Sequence, residues 1–156
     1  MQEMLRVILI NMHVIAAIVW VGAVFMGTFI DWPAAKESVE GSKFPHKFII
    51  GQGRRVFYSV YTGIIILWIS GIGLVIVNPP ADTFTIVMLL IKTVSLLFMT
   101  GFTLYGTFYT WPKMQLSTHQ EAFRHYKFYM YRAMGTFTFG IVASLAGLWL
   151  RNIGLL

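Results

Sequence analysis

Apolar positions in this chain run on without alternating. Four stretches, at about 5–30, 56–77, 84–110 and 133–150, hold mostly apolar and small residues. A helix needs about 20 such residues to cross the hydrocarbon core of a bilayer. Half-buried strands would alternate with period two, and an open sheet edge leaves backbone groups unpaired in lipid. The pattern therefore predicts four membrane-spanning helices.

The connections between them are unequal. Asn78-Pro79-Pro80-Ala81-Asp82 reads as a tight turn, because neither proline can continue a helix. The segments 31–55 and 111–132 are longer and more polar. Both leave their helix through Trp-Pro, at Trp32-Pro33 and Trp111-Pro112. Tryptophan at a span end is expected to anchor at the membrane interface. Thr118-x-x-Glu121 has the form of a capping box, so the fourth helix is expected to start near His119. Pro45 is suited to the first turn of an extended second helix.

Composition sharpens this picture. Of the 156 residues 57% are hydrophobic and only 12% charged, half the ordinary share of about 25%, and mean hydropathy is +0.70. A soluble chain of about 150 residues buries only about 70% of its unfolded surface, too little to hide so much apolar area. A soluble enzyme and a disordered tail are excluded. With no cysteine, so are a disulfide scaffold and a thiolate metal site.

The net charge of +6 resolves into topology. Lys36, Lys43, Lys47, Arg54, Arg55, Lys113, Arg124, Lys127 and Arg132 fall on the side of the long segments, and Arg6 and Arg151 on the other. This bias predicts long loops in the cytoplasm and both termini outside, in an inner (plasma) membrane of bacterial type. The basic residues flank spans, so no nucleic-acid partner is expected. The first span is too long for a cleaved signal sequence and is expected to stay.

The chain also resembles itself at a shift of 79. His13 falls on Lys92, Gly22 on Gly101, Gly27-Thr28-Phe29 on Gly106-Thr107-Phe108, and Trp32-Pro33 on Trp111-Pro112. Ser38 falls on Ser117 and Phe44-x-His46 on Phe123-x-His125. Ser70-x-x-Gly73-Leu74 meets Ser144-x-x-Gly147-Leu148 at a shift of 74. The expected architecture is one all-α domain over 1–156. It is a four-helix bundle of two helical hairpins, about 1–78 and 79–156, related by an axis along the membrane normal.

The twelfth basic residue, Lys92, lies inside the third span, level with His13 in the first. Ionisable groups within spans are costly and mark candidate sites. Bland readings are a neutral histidine bonded to a neighbour and a lysine stretched to the surface. Ala16, Ala17, Trp20, Ala23 and Gly27 share the His13 face and leave room for a flat apolar ligand or for close helix packing. His46 and His125 should face each other across the bundle axis, where two imidazoles can hold haem iron or copper. His119 lacks a repeat partner and reads as a loop residue. Arg54, Arg55 and Arg132 either anchor spans or clamp carboxylates such as propionates. The nine methionines read as core filling. No phosphate loop, nucleophile elbow or zinc motif is present, and no acidic residue lies within a span.

Leu5–Gly27, with Met12-His13-Val14-Ile15 and Val19-Trp20-Val21-Gly22, resembles the first span of CopD-like and HemJ-like membrane proteins. Gly53-Arg54-Arg55-Val56-Phe57-Tyr58, leading to Trp68-Ile69-Ser70-Gly71-Ile72-Gly73-Leu74, looks like the second span of HemJ-type protoporphyrinogen oxidases. Leu90-Ile91-Lys92 stands where that family carries a lysine; the family's histidine two residues earlier is Leu90 here. The resemblance implies a haem b ligand at His13 and a substrate or propionate contact at Lys92, with electron transfer or porphyrin oxidation as the activity. It also implies quinone or porphyrin as partners within the lipid bilayer. Copper handling of CopD type is the alternative. A non-catalytic subunit of a larger membrane complex, or a homo-oligomer, is the third reading.

Overall fold

The computed structural model describes residues 2–37 and 44–152. Ser38 and Lys43 lie outside it, as does the side chain of Arg151. Among the described residues there is no strand. Helix α1 is Gln2–Phe25; it runs on through a wide π-helical turn, Met26–Asp31, into the short helix α2, Trp32–Glu37. Helix α3 is His46–Val77. The second half repeats this order: α4, Thr83–Tyr105, a π-helical turn at Gly106–Thr110, α5, Trp111–Gln115, and α6, His119–Asn152. The four long helices form a bundle.

The paired π turns have a shared cause. Pro33 and Pro112 carry no N–H, so the carbonyls four residues earlier lose their helical partner. The preceding tryptophan then bonds one residue further back: Trp32 N–H donates to Gly27 O and Trp111 N–H to Gly106 O. The repeat seen in the sequence is thus a repeat of backbone geometry.

Helix ends follow local chemistry. Asp82 caps α4, its carboxylate accepting from Thr85 N at 2.9 Å. At α6 the Glu121 carboxylate accepts from Thr118 N at 3.2 Å and from the Thr118 hydroxyl at 2.9 Å, and the helix starts at His119 as the sequence predicts.

Four helical segments of 32–33 residues are long and apolar enough to cross a membrane. Ile18, Ile69, Ile76 and Leu97 are each more than half exposed, which suits lipid rather than water. Thirty-two residues rise about 48 Å, against a hydrocarbon core of about 30 Å. The tight 78–82 turn fixes one end of the bundle, so the excess length projects at the other, loop end. There Phe44, Ile49, Met114, Ala122, Tyr126 and Met130 form their own buried cluster. A second cluster lies between the two ends: Ala16, Trp20, Val60, Ile64, Leu67 and Met99.

Packing is closest within each hairpin, α1 against α3 and α4 against α6; α1 meets α6 between them. Glycines set the approach. A Cβ on Gly63 would lie 3.4 Å from Trp20, and one on Gly135 would lie 2.9 Å from Phe102. The two tryptophans of the Trp-Pro steps do more than anchor. Trp32 packs on Phe123 and Tyr126 of α6, and Trp111 lies over Gly53 of α3. Each half therefore reaches across to the other.

Candidate functional site

His13 sits on α1 facing α3, about 16 Å along the helix from its start. Its Nδ1 lies 2.9 Å from Ser70 Oγ, and that hydroxyl lies 2.5 Å from Ile66 O. A hydroxyl has one proton, and a carbonyl can only accept. Both bonds form together only when Ser70 donates to Ile66 O and His13 Nδ1–H donates to Ser70. The imidazole is thereby held with its Nε2 lone pair free. This is the arrangement in which a second partner orients a ligating histidine.

Lys92 lies at the matching depth, about 14 Å into α4. Its ammonium packs on α6 at Gly147, where a Cβ would stand 3.4 Å from Nζ. Gly71 opposes His13 in the same way, with a Cβ 3.5 Å from Cε1. Among the described residues Lys92 has no ion-pair partner. The equal depth of His13 and Lys92 is accordingly matched by an equal setting, each against a glycine of its own hairpin.

That setting also corrects the repeat. Gly147 answers Gly71 at a shift of 76 (147 − 71), not 74. Ser144 does not answer Ser70: it is exposed and bonds Gly140 O at 2.8 Å in its own helix, whereas Ser70 is fully buried.

The loop-end histidines are arranged otherwise than the repeat predicts. His46 packs on His119, ring centroids 5.2 Å apart, and His119 Nδ1 accepts from Phe44 N–H at 3.1 Å. His125 lines a separate recess with Tyr105, Tyr109, Lys113 and Arg132. The cause is helix length. Helix α6 begins six residues before His125, whereas His46 is the first residue of α3. The expected His46–His125 metal pair is not assembled. Among the described residues no three His, Cys, Asp or Glu side chains converge.

The arginines are likewise remote from His13. Arg54 and Arg55 are exposed. Arg132 bonds Thr110 Oγ1 at 3.0 Å and lies over the Tyr105 ring at 4.3 Å. It is fifteen residues, about 22 Å, along α6 from Gly147. The three arginines thus stay at the loop end, and Lys92 is the basic side chain at the depth of His13.

The sequence did not single out Ser70 as the partner of His13. A buried serine inside an apolar span is the signal that points to it, once the antiparallel register of α1 and α3 is known. The chain matches no protein-family model, no curated protein and no solved structure.

Proposed function

We propose that this chain is an integral membrane protein that holds a b-type haem near the turn end of the bundle, for electron transfer or porphyrin oxidation. The orientation of His13 by Ser70 carries the reading. It presents Nε2, the nitrogen an axial imidazole uses, and it fixes the ring before any ligand arrives. Lys92 supplies a cation at the same depth for propionates or for a porphyrin carboxylate. Gly71 and Gly147 keep the helices close behind both side chains. The donor set thus fits haem, which when bound supplies one-electron exchange. Ser70 holds the Nδ1 proton, and the apolar walls of α1 and α3 exclude water.

The resemblance of the first three spans to HemJ-like proteins points the same way. Copper handling has less support, since among the described residues no three His, Cys, Asp or Glu side chains converge and the nine methionines read as core filling. The excess of basic residues at the loop end supports a cytoplasmic loop side and an inner-membrane location.

The test is the haem content of the protein purified in detergent after haem-replete expression, by pyridine haemochrome. One haem per chain is expected, retained in His46→Ala and His125→Ala and lost in His13→Ala. A haem-free wild type, or full haem in His13→Ala, overturns the assignment.

A further inference from the structure

A recess of about 80 Å³ opens at the loop end of the second hairpin. Lys113 reaches it from α5, and His125 and Arg132 from one side of α6. Two tyrosines of the preceding segment seat the two fixed cations. The Arg132 guanidinium lies over the Tyr105 ring at 4.3 Å, and Lys113 Nζ over the Tyr109 ring at 3.9 Å. The two rings are neighbours, with centroids 4.8 Å apart. Stacking thus gathers two like charges side by side, an arrangement that repels itself unless an anion joins it.

No carboxylate lines the recess, and among the described residues neither Lys113, His125 nor Arg132 has an ion-pair partner. Glu121, one turn before His125, is bonded to Thr118. Donors are left over: of the five guanidinium N–H groups one meets Thr110, at 3.0 Å. The level is that of the lipid headgroups. Gly147 packs on Lys92 about 14 Å into α4, and Arg132 lies about 22 Å further along α6, so it stands about 36 Å from the turn end. The hydrocarbon core is about 30 Å thick, with headgroups beyond it. Tyr105, Tyr109 and Phe128 at the recess are all exposed, which opens it toward the bilayer. The first hairpin does not repeat it: at the shift of 79, Met26, Ile30, Asp31 and Ala34 replace Tyr105, Tyr109, Thr110 and Lys113. The shared fold therefore does not require these side chains.

We propose that this recess binds the phosphate of an anionic phospholipid, with Arg132 and Lys113 donating to its oxygens and the His125 ring adding a further donor. Charge-assisted bonds from a guanidinium and an ammonium suit phosphate oxygens. One water needs about 10–15 Å³ on the same measure, so the space takes a compact group of several atoms. A zwitterionic lipid brings its own ammonium group to a recess that already holds two cations, so an anionic lipid is favoured. A free phosphate offers the same oxygens but no acyl chain to lie against the exposed Phe128. The recess shares no residue with the His13–Lys92 site, so this inference and the haem assignment stand or fall separately.

The experiment titrates the full chain in maltoside micelles by isothermal calorimetry. Dihexanoyl phosphatidylglycerol is the probe, dihexanoyl phosphatidylcholine controls for partition of the chains, and glycerol phosphate is the free anion. The phosphatidylglycerol should bind to saturation, and each of the others about tenfold more weakly or not at all. Lys113 is exposed, so Lys113→Gln should fold; it should weaken phosphatidylglycerol binding about tenfold, as loss of one charge-assisted hydrogen bond does. Lys47→Gln removes the same charge from an exposed position on α3 and should leave binding unchanged. The comparison of lipids on the wild type carries the test if Lys113→Gln does not fold. Equal binding of the two lipids overturns the proposal. An equal loss in Lys47→Gln and Lys113→Gln means that diffuse surface charge attracts the lipid and overturns it too. Glycerol phosphate binding as tightly as phosphatidylglycerol makes this a site for a soluble anion and overturns the lipid assignment.

Discussion

Replacing Gly53 by alanine isolates the contact that ties the two hairpins together. A Cβ at this position would overlap two ring atoms of Trp111 and lie 3.0 Å from a third. Carbon atoms in contact sit best at about 3.5–4.0 Å. The indole is rigid, so it must swing as a unit, and Tyr129 stands beside it with ring centroids 6.1 Å apart. Overpacking of this kind costs about 1–3 kcal/mol. Gly51 lies on the same helix, and a Cβ there would meet nothing within 4 Å. Alanine at Gly51 should stabilise α3 by roughly 0.5–1 kcal/mol, because alanine has less backbone entropy to lose on folding. The same chemical change should therefore have opposite signs at two neighbouring glycines. Reversible unfolding in mixed micelles, followed by far-ultraviolet circular dichroism, measures both variants. If Gly53→Ala is as stable as Gly51→Ala, Trp111 does not lie on α3 and the cross-hairpin packing is wrong.

Three further outcomes follow from named contacts. Ser70→Ala removes the acceptor of His13 Nδ1–H and should destabilise the protein by about 1–3 kcal/mol, with weaker haem retention; Ser70→Thr, which keeps the hydroxyl, should retain more haem than the alanine variant. Arg132→Gln loses the Thr110 bond and the stacking on Tyr105, and should destabilise the loop end by about 1–2 kcal/mol, leaving haem content unchanged. The Asp82 carboxyl is held below its usual pKa chiefly by the Thr85 hydroxyl, with the Thr85 N–H adding to it. Its cap is therefore intact above the ordinary carboxylate range and weakens as pH falls through the lowered value, which amide exchange at the start of α4 will show as faster opening in acid and in Asp82→Ala at neutral pH.

The chain discloses its architecture in unequal parts. Continuous apolar runs show four helices, and Asn78-Pro79-Pro80 and Thr118-x-x-Glu121 mark where two of them stop and start. The Trp-Pro steps announce the repeat, and proline chemistry accounts for the π turns found beside both. The loop-end extensions were legible only through their ends. Residues 46–55 and 119–132 mix basic and apolar side chains, so hydropathy alone places the spans at 56–77 and 133–150; Pro45 and the Thr118-x-x-Glu121 box are the signals that carry the two helices outward, to His46 and His119. Equal depth of His13 and Lys92 was legible because depth follows from counting residues. Their partners were not, because helix rotation and register are set by which small residues meet. A register difference of two residues puts Ala146 rather than Ser144 in the place of Ser70, with Gly147 against Lys92. The extra helical turns before His125 likewise hand His46 to His119.

The central claim is that His13 Nε2 is an axial haem ligand held ready by Ser70, and replacement of that nitrogen from solution tests it most directly. The His13→Gly protein, purified after haem-replete expression, should show little or no Soret absorption. Adding haem together with free imidazole should restore the band, while haem alone should not. A Soret band in His13→Gly equal to that of the wild type without imidazole would contradict the claim.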